Sequence, residues 1–199
     1  MGRIRQDTCK FMPGPYIQRK SWTPFVYQGN VYDLGHLDEY LLTVVDTKNV
    51  PRILAVTFDD HCFTRSAVAG DDPDLVYSDS NRNPGYFCFE RYQLSLGIGK
   101  HIEQATTGQV WSLLSESFAA VSVVDRLGNT TSYGIVFTLN RVTGLPIHLH
   151  MRVKTAYPVD KGRLDTFGSV RFRHLVTLRM QNKMPGRIFD RNRKVPTIL

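Results

Sequence analysis

Alternation of apolar and polar positions is cleanest in the last third of the chain. Residues 118–125, 131–140, 147–157 and 169–180 each read as a strand, with turn residues at 126–129, at 141–144 and in a longer loop through Asp160, Lys161 and Gly162. Four such runs in sequence predict an antiparallel meander. Side chains alternate across a strand, so Tyr133, Ile135, Phe137 and Leu139 share one face, as do Ile147, Leu149, Met151 and Val153. The other face of the third strand would carry His148, His150, Arg152 and Lys154. The fourth would add Arg171, Arg173 and Arg179. The expectation is a sheet with one apolar face under a helix and one strongly basic face.

Upstream, 25–27 and 31–34 flank Gln28-Gly29-Asn30 as a hairpin. In 36–45, Leu37, Tyr40, Leu41 and Val44 fall at helical spacing and predict a short helix. The apolar run 53–58 predicts a buried strand ending at Asp59-Asp60-His61. Residues 69–85 read as an acidic loop, 86–96 as a short element of either type, and 100–118 as a helix around Val110–Leu114. The fold class is therefore α+β, one domain over 25–180 with a basic arm at 1–24 and a basic tail at 181–199.

Composition changes this picture little. With 42% hydrophobic and 22% charged residues the chain is an ordinary folded protein, and no run approaches the ~18 apolar residues of a membrane span. The basic start lacks the apolar stretch of a secretory signal. Three cysteines, Cys9, Cys62 and Cys88, form no closed disulfide set and no CxxC, which predicts free thiols and a reducing compartment such as the cytoplasm.

Charge changes it more. The formal net charge is +7, but each end, 1–20 and 181–199, holds five bases against one acid. Residues 31–80 hold ten acids against three bases, and 141–180 hold eight bases against two acids. A basic half with basic arms predicts attraction to RNA or another polyanion.

The stretch from Asp59 to Ser66 gathers carboxylate, imidazole, thiol, hydroxyl and guanidinium where a strand runs out. His61 offers an imidazole, the side-chain type whose unperturbed pKa suits proton transfer near neutrality. Asp59 or Asp60 would orient it, and Arg65 would grip a phosphate with its fork. Cys62 is a second, weaker candidate as a nucleophile. Lys154, Thr155 and Tyr157 end the third strand at Pro158 and offer an ammonium and two hydroxyls. His148 and His150, about 7 Å apart on a strand, have the spacing of two metal ligands, with Asp59, His61 or Glu90 as a third. Arg152 and Lys154 on the same face oppose a cation. The glycines before Lys100 do not make a phosphate loop, because Leu94 and His101 stand where glycine and Ser or Thr are needed.

The string VKTAYPVD on a late antiparallel strand resembles the closing strand of small sheet-based ribonuclease toxins, the barnase, colicin and EndoU-like group. That resemblance implies metal-free, cofactor-free acid–base cleavage of RNA on one sheet face, and it reaches Lys154, Thr155 and Tyr157. The N-terminal half, with YDLGHLDEY, VTFDDHCFTR and YFCFERYQLS, resembles uncharacterised bacterial or prophage proteins. The leading expectation is a small endoribonuclease, a toxin or defence effector. In it His61 moves the proton, Arg65 and Lys154 neutralise phosphate, and Thr155 and Tyr157 position it. His148, His150, Arg152, Arg171 and Arg173 would line the nucleic-acid path. Two other classes compete: a non-enzymatic binder of nucleic acid or a protein partner, from a mobile element, and a metal-dependent hydrolase built on His148 and His150. The endoribonuclease requires His61 and the end of the third strand to share one cleft, within about 10 Å.

Overall fold

A computed structural model describes residues 15–18, 21–78, 84–113, 116–124, 128, 130–159 and 168–185. Cys9, most of the two basic ends and residues 160–167 lie outside the described residues. The chain order is β1 (Phe25–Tyr27), β2 (Asn30–Tyr32), a 3-10 turn Gly35–Leu37, β3 (Tyr40–Val45) and β4 (Pro51–Phe58). A second 3-10 turn, Asp60–Cys62, leads into β5 (Thr64–Arg65), and a third, Pro73–Leu75, into β6 (Val76–Ser78). Then come β7 (Gly85–Phe87), α1 (Phe89–Ser95), α2 (Ile98–Thr107), β8 (Gln109–Ser112) and β9 (Ser117–Val124). The chain continues through β10 (Thr130–Arg141), β11 (Leu149–Pro158), β12 (Ser169–Arg171) and α3 (Phe172–Met180).

The fold is α+β. Seven strands form one sheet in the order β12-β8-β9-β10-β11-β4-β3, and β5-β7-β6 form a small second sheet. Neighbours in the large sheet are antiparallel except β11 and β4, which run parallel. The predicted meander thus holds for β9, β10 and β11. The fourth member departs from it: β12 lies at the far edge beside β8, and β4 takes the place next to β11.

Three expectations about secondary structure change. Residues 40–45 form an edge strand, not a helix, because Tyr40, Leu42 and Val44 alternate as well as they repeat helically, and β4 offers a partner (Leu42↔Leu54). Helix α2 stops at Thr107 before Gly108, and Val110 and Trp111 join the sheet. Residues 172–180 are a helix rather than a strand. Phe172, Leu175 and Val176 are fully buried at i, i+3 and i+4, and strand alternation breaks at the exposed His174. Arg173 and Arg179 therefore share no strand face with Arg171.

Helices α2 and α3 cover one sheet face. The His101 ring lies 5.4 Å from that of Tyr133 and Phe172 lies 5.9 Å from Phe137. On the same face stand the cross-strand pairs Leu139↔Met151, Phe137↔Val153 and Ile135↔Ala156, all buried. The sheet curls far enough for α3, after one edge strand, to reach the turn after the other. Arg173 donates from Nε to the Val45 carbonyl (2.8 Å) and from Nη2 to the Asp46 carbonyl (2.8 Å) and Asn49 Oδ1 (3.0 Å). Thr177 and Thr47 hydroxyls meet at 2.8 Å beside it. That turn is built on Asp46, 1% exposed, whose Oδ1 accepts from Lys48 and Val50 N–H and whose Oδ2 pairs with Arg52.

A second nucleus is almost wholly aromatic. Phe25 stacks on Phe87 at 4.3 Å, and Trp22, Tyr32, Phe63, Tyr77 and Tyr92 close around them. It fastens the hairpin and the small sheet to α1. The hairpin turns through Gln28 (φ 48°) and Gly29 (φ 76°), the two left-handed positions of a type I′ turn.

Candidate functional site

Strand β11 sets the site. Its register against β10 slips between Val136 and Phe137, whose partners are Thr155 and Val153, so Lys154 is the extra residue of a bulge. Strict alternation would have sent Thr155 to the core side with Val153. The bulge shifts the phase, so that Ala156 returns to the core and Thr155 and Tyr157 join His150 and Arg152 on the outer face.

The 3-10 turn after β4 lies against this stretch. Asp59 N–H donates to the Val153 carbonyl (2.8 Å), and Thr155 Oγ1 donates to the His61 carbonyl (3.2 Å). From α1, Arg91 Nη1 donates to the carbonyls of His61 (3.0 Å) and Thr64 (2.8 Å), and its guanidinium lies 5.8 Å from the centre of the Tyr157 ring. The structure therefore brings together His61, Thr155, Tyr157 and Arg91, with the His61 side chain exposed. Arg91 was missed in the sequence. Its signal was a charged residue inside the aromatic run YFCFERY, legible only once α1 is known to face the turn.

Other expected residues are engaged elsewhere. The Arg65 fork is bidentate on Asp71 (2.7 and 2.5 Å), which also accepts from Val68 N–H, so Arg65 staples its own loop rather than gripping phosphate. Its guanidinium holds the Asp71 carboxyl down, to a pKa of about 2. Lys154 pairs with Glu116, and Arg152 Nε with Asp59 Oδ1 at 2.7 Å. Cys62 is fully buried, and burial pushes its thiol up, away from the thiolate that a nucleophile requires. Arg171 and Arg173 do not continue the β11 face; they border a separate hollow with Thr106 and Thr107, and Arg173 is spent on the turn after β3.

The two strand histidines also have protein partners. His148 Nδ1 accepts from Ile53 N–H (3.0 Å), and His150 Nε2 and Thr57 Oγ1 share a hydrogen bond of 2.7 Å. Burial lowers the pKa of both, with Arg52 acting in the same sense at His148 and Arg152 at His150. Among the described residues no three His, Cys, Asp or Glu side chains gather as a metal site.

A histidine–serine pair that the sequence did not reveal occurs near α1. His36 Nε2 lies 2.8 Å from Ser95 Oγ, the spacing of an activated nucleophile. Ser95 is fully buried and its hydroxyl donates to the Tyr92 carbonyl (2.7 Å), so no substrate reaches it. The pair ties the turn Gly35–Leu37 to α1.

The model of the YjaZ family matches residues 24–179, most of the chain and nearly all of the described body. The chain belongs to the YjaZ family. This agrees with the resemblance of its N-terminal half to uncharacterised bacterial proteins. No curated protein and no solved structure matches it. The YjaZ match spans every element of the candidate site, from the turn Asp60–Cys62 through α1 to β11, and stops short of both basic ends.

Proposed function

We propose that the protein is a metal-independent endoribonuclease whose site is the cluster of His61, Arg91 and Tyr157, held by Thr155. The observation that carries this reading is the double anchoring of the His61 main chain, by Thr155 from β11 and by Arg91 from α1. It fixes the main chain of His61, whose side chain is exposed, against the end of β11 and under the Arg91 guanidinium, which itself lies 5.8 Å from the centre of the Tyr157 ring. His61 takes the proton of a ribose 2′-hydroxyl, whose oxygen attacks the adjacent phosphorus. The bond from phosphorus to the 5′-oxygen breaks, Tyr157 supplies the proton that oxygen needs, and a 2′,3′-cyclic phosphate remains. Arg91 offsets the charge that builds on the phosphate oxygens. Thr155 acts through His61, by holding its carbonyl. The test is incubation with total RNA in EDTA beside His61→Ala. Cleavage to cyclic-phosphate ends that disappears in the variant, at unchanged melting temperature, supports the reading. Equal cleavage by the variant, or none by either protein, overturns it.

A non-enzymatic polyanion binder is the second reading, and the pairing of charge favours it. Arg52, Arg65, Arg152 and Lys154 are each matched to a carboxylate, so the surplus of positive charge falls on the basic ends. Loss of RNA binding on deleting 186–199, with no effect of His61→Ala, distinguishes it.

A further inference from the structure

The outer face of β11 carries a second feature a short way before the His61 site. A groove of about 480 Å³ is lined by the aromatic rings of Trp22 and Tyr77 and by the polar side chains of Thr57, His150 and Arg152. This is the size of a pocket for a small planar ligand.

The aromatic lining is fixed in advance. Trp22 Nε1 donates to the Leu37 carbonyl and its main-chain N–H to Asp38 Oδ1, both at 2.9 Å. Its ring meets Phe63 edge-on at 5.4 Å and lies 6.2 Å from Tyr77. A ring held this way gives up little conformational freedom when a ligand stacks on it. The rest of this lining is polar without being strongly charged. The Thr57 hydroxyl and the His150 imidazole share one hydrogen bond, and each retains capacity to give or accept another. At the border stands Arg152, its side chain 54% exposed and anchored through Nε by Asp59. Arg152 precedes Thr155 by three residues, about 10 Å along a strand.

An aromatic lining, a neutral donor–acceptor pair and a cation toward the neighbouring site match a nucleobase with its phosphate. An aromatic side chain of a peptide would leave the Thr57–His150 pair without a partner, and a free phosphate would leave the ring faces unused. We propose that this groove binds one unpaired base of a single-stranded RNA whose backbone passes on to His61 and Tyr157. The inference rests on the RNA reading of that site and assigns it a base subsite.

The probe is an uncleavable 2′-O-methyl RNA hexamer with a terminal fluorophore, read by anisotropy in EDTA. A hexamer of the same backbone without bases serves as the comparison. Trp22→Leu is expected to weaken hexamer binding about fivefold or more, the low end of a base–aromatic stack, and His150→Ala to weaken it through loss of a hydrogen-bonding partner. The baseless strand should bind wild type and variants alike, and more weakly. Because Trp22→Leu removes packing, His150→Gln is the second variant. It keeps a hydrogen-bonding side chain and is expected to change the ratio of affinities for uridine and adenosine hexamers at unchanged melting temperature. Equal binding by all variants, equal binding of the baseless strand, or no binding by wild type overturns the subsite. If total RNA stays intact while hexamer binding responds to His150, the cleavage reading fails and the subsite stands.

Discussion

Thr155 Oγ1 donates to the main-chain carbonyl of His61, 3.2 Å away and 94 positions earlier in the chain. This contact exists only because the bulge at Lys154 turns Thr155 outward. Thr155→Val keeps the shape and removes the donor. A loss of about 1 kcal/mol, that of one net hydrogen bond, is expected in urea denaturation. Under the ribonuclease reading cleavage falls with it, and because His61 itself is intact the pH profile keeps its shape.

Glu116 occupies the ammonium of Lys154. Both groups are partly exposed, so Glu116→Gln should change stability by less than about 1 kcal/mol. The freed charge is expected to tighten RNA binding and to steepen its salt dependence by about 0.7 in the log–log slope for one added contact. An unchanged slope would show that Lys154 does not face the bound strand.

Arg173 holds three acceptors on the turn after β3 and so latches α3 across the curled sheet. Arg173→Ala should destabilise by about 1.5–3 kcal/mol, the range for a charge-assisted donor, with RNA affinity unchanged. Weaker RNA binding at unchanged stability would restore Arg173 to the nucleic-acid path.

Gly134 faces the Phe118 ring and Val159. A Cβ placed there would lie 2.7 Å from Phe118 Cε2 and 2.5 Å from Val159 Cγ2. Gly134→Ala is expected to cost about 1–3 kcal/mol as overpacking, read as a lower urea midpoint with an unchanged slope.

Burial lowers the pKa values of His36, His101, His148 and His150. An unfolded histidine, with its ordinary pKa near 6.5, takes up its proton before the folded one does. The unfolded state thus binds more protons as pH falls through that region. Stability should be fully present above about pH 7 and decline below pH 6.5, measured as a falling urea midpoint between pH 7.5 and 5.5. A flat midpoint over that range would contradict the burial of these rings.

Local pattern alone determined much of the fold. Alternation marked β9, β10 and β11 because each pairs with its sequence neighbour through a short connection, and the apolar run before Asp59 marked β4 because that strand is buried between two others. The hairpin around Gln28-Gly29 was also legible, since its turn is local, while the structure made the turn type I′ and put Asn30 in the strand. Short apolar segments are where sequence fell short. Residues 40–45 satisfy both periods and 172–180 alternate except at His174, so the available partner decides: an open edge of β4 for the first, the Phe137 side of the curled sheet for the second. The candidate site divides in the same way. His61, Thr155 and Tyr157 were visible as chemistry at strand ends, but the carboxylate partner of Lys154 lies 38 positions away and that of Arg152 93. Tertiary structure alone decided that Asp71 takes Arg65, Glu116 takes Lys154, and Arg91 arrives beside His61, because pairing depends on which surfaces meet in space and a linear charge count carries no such distances.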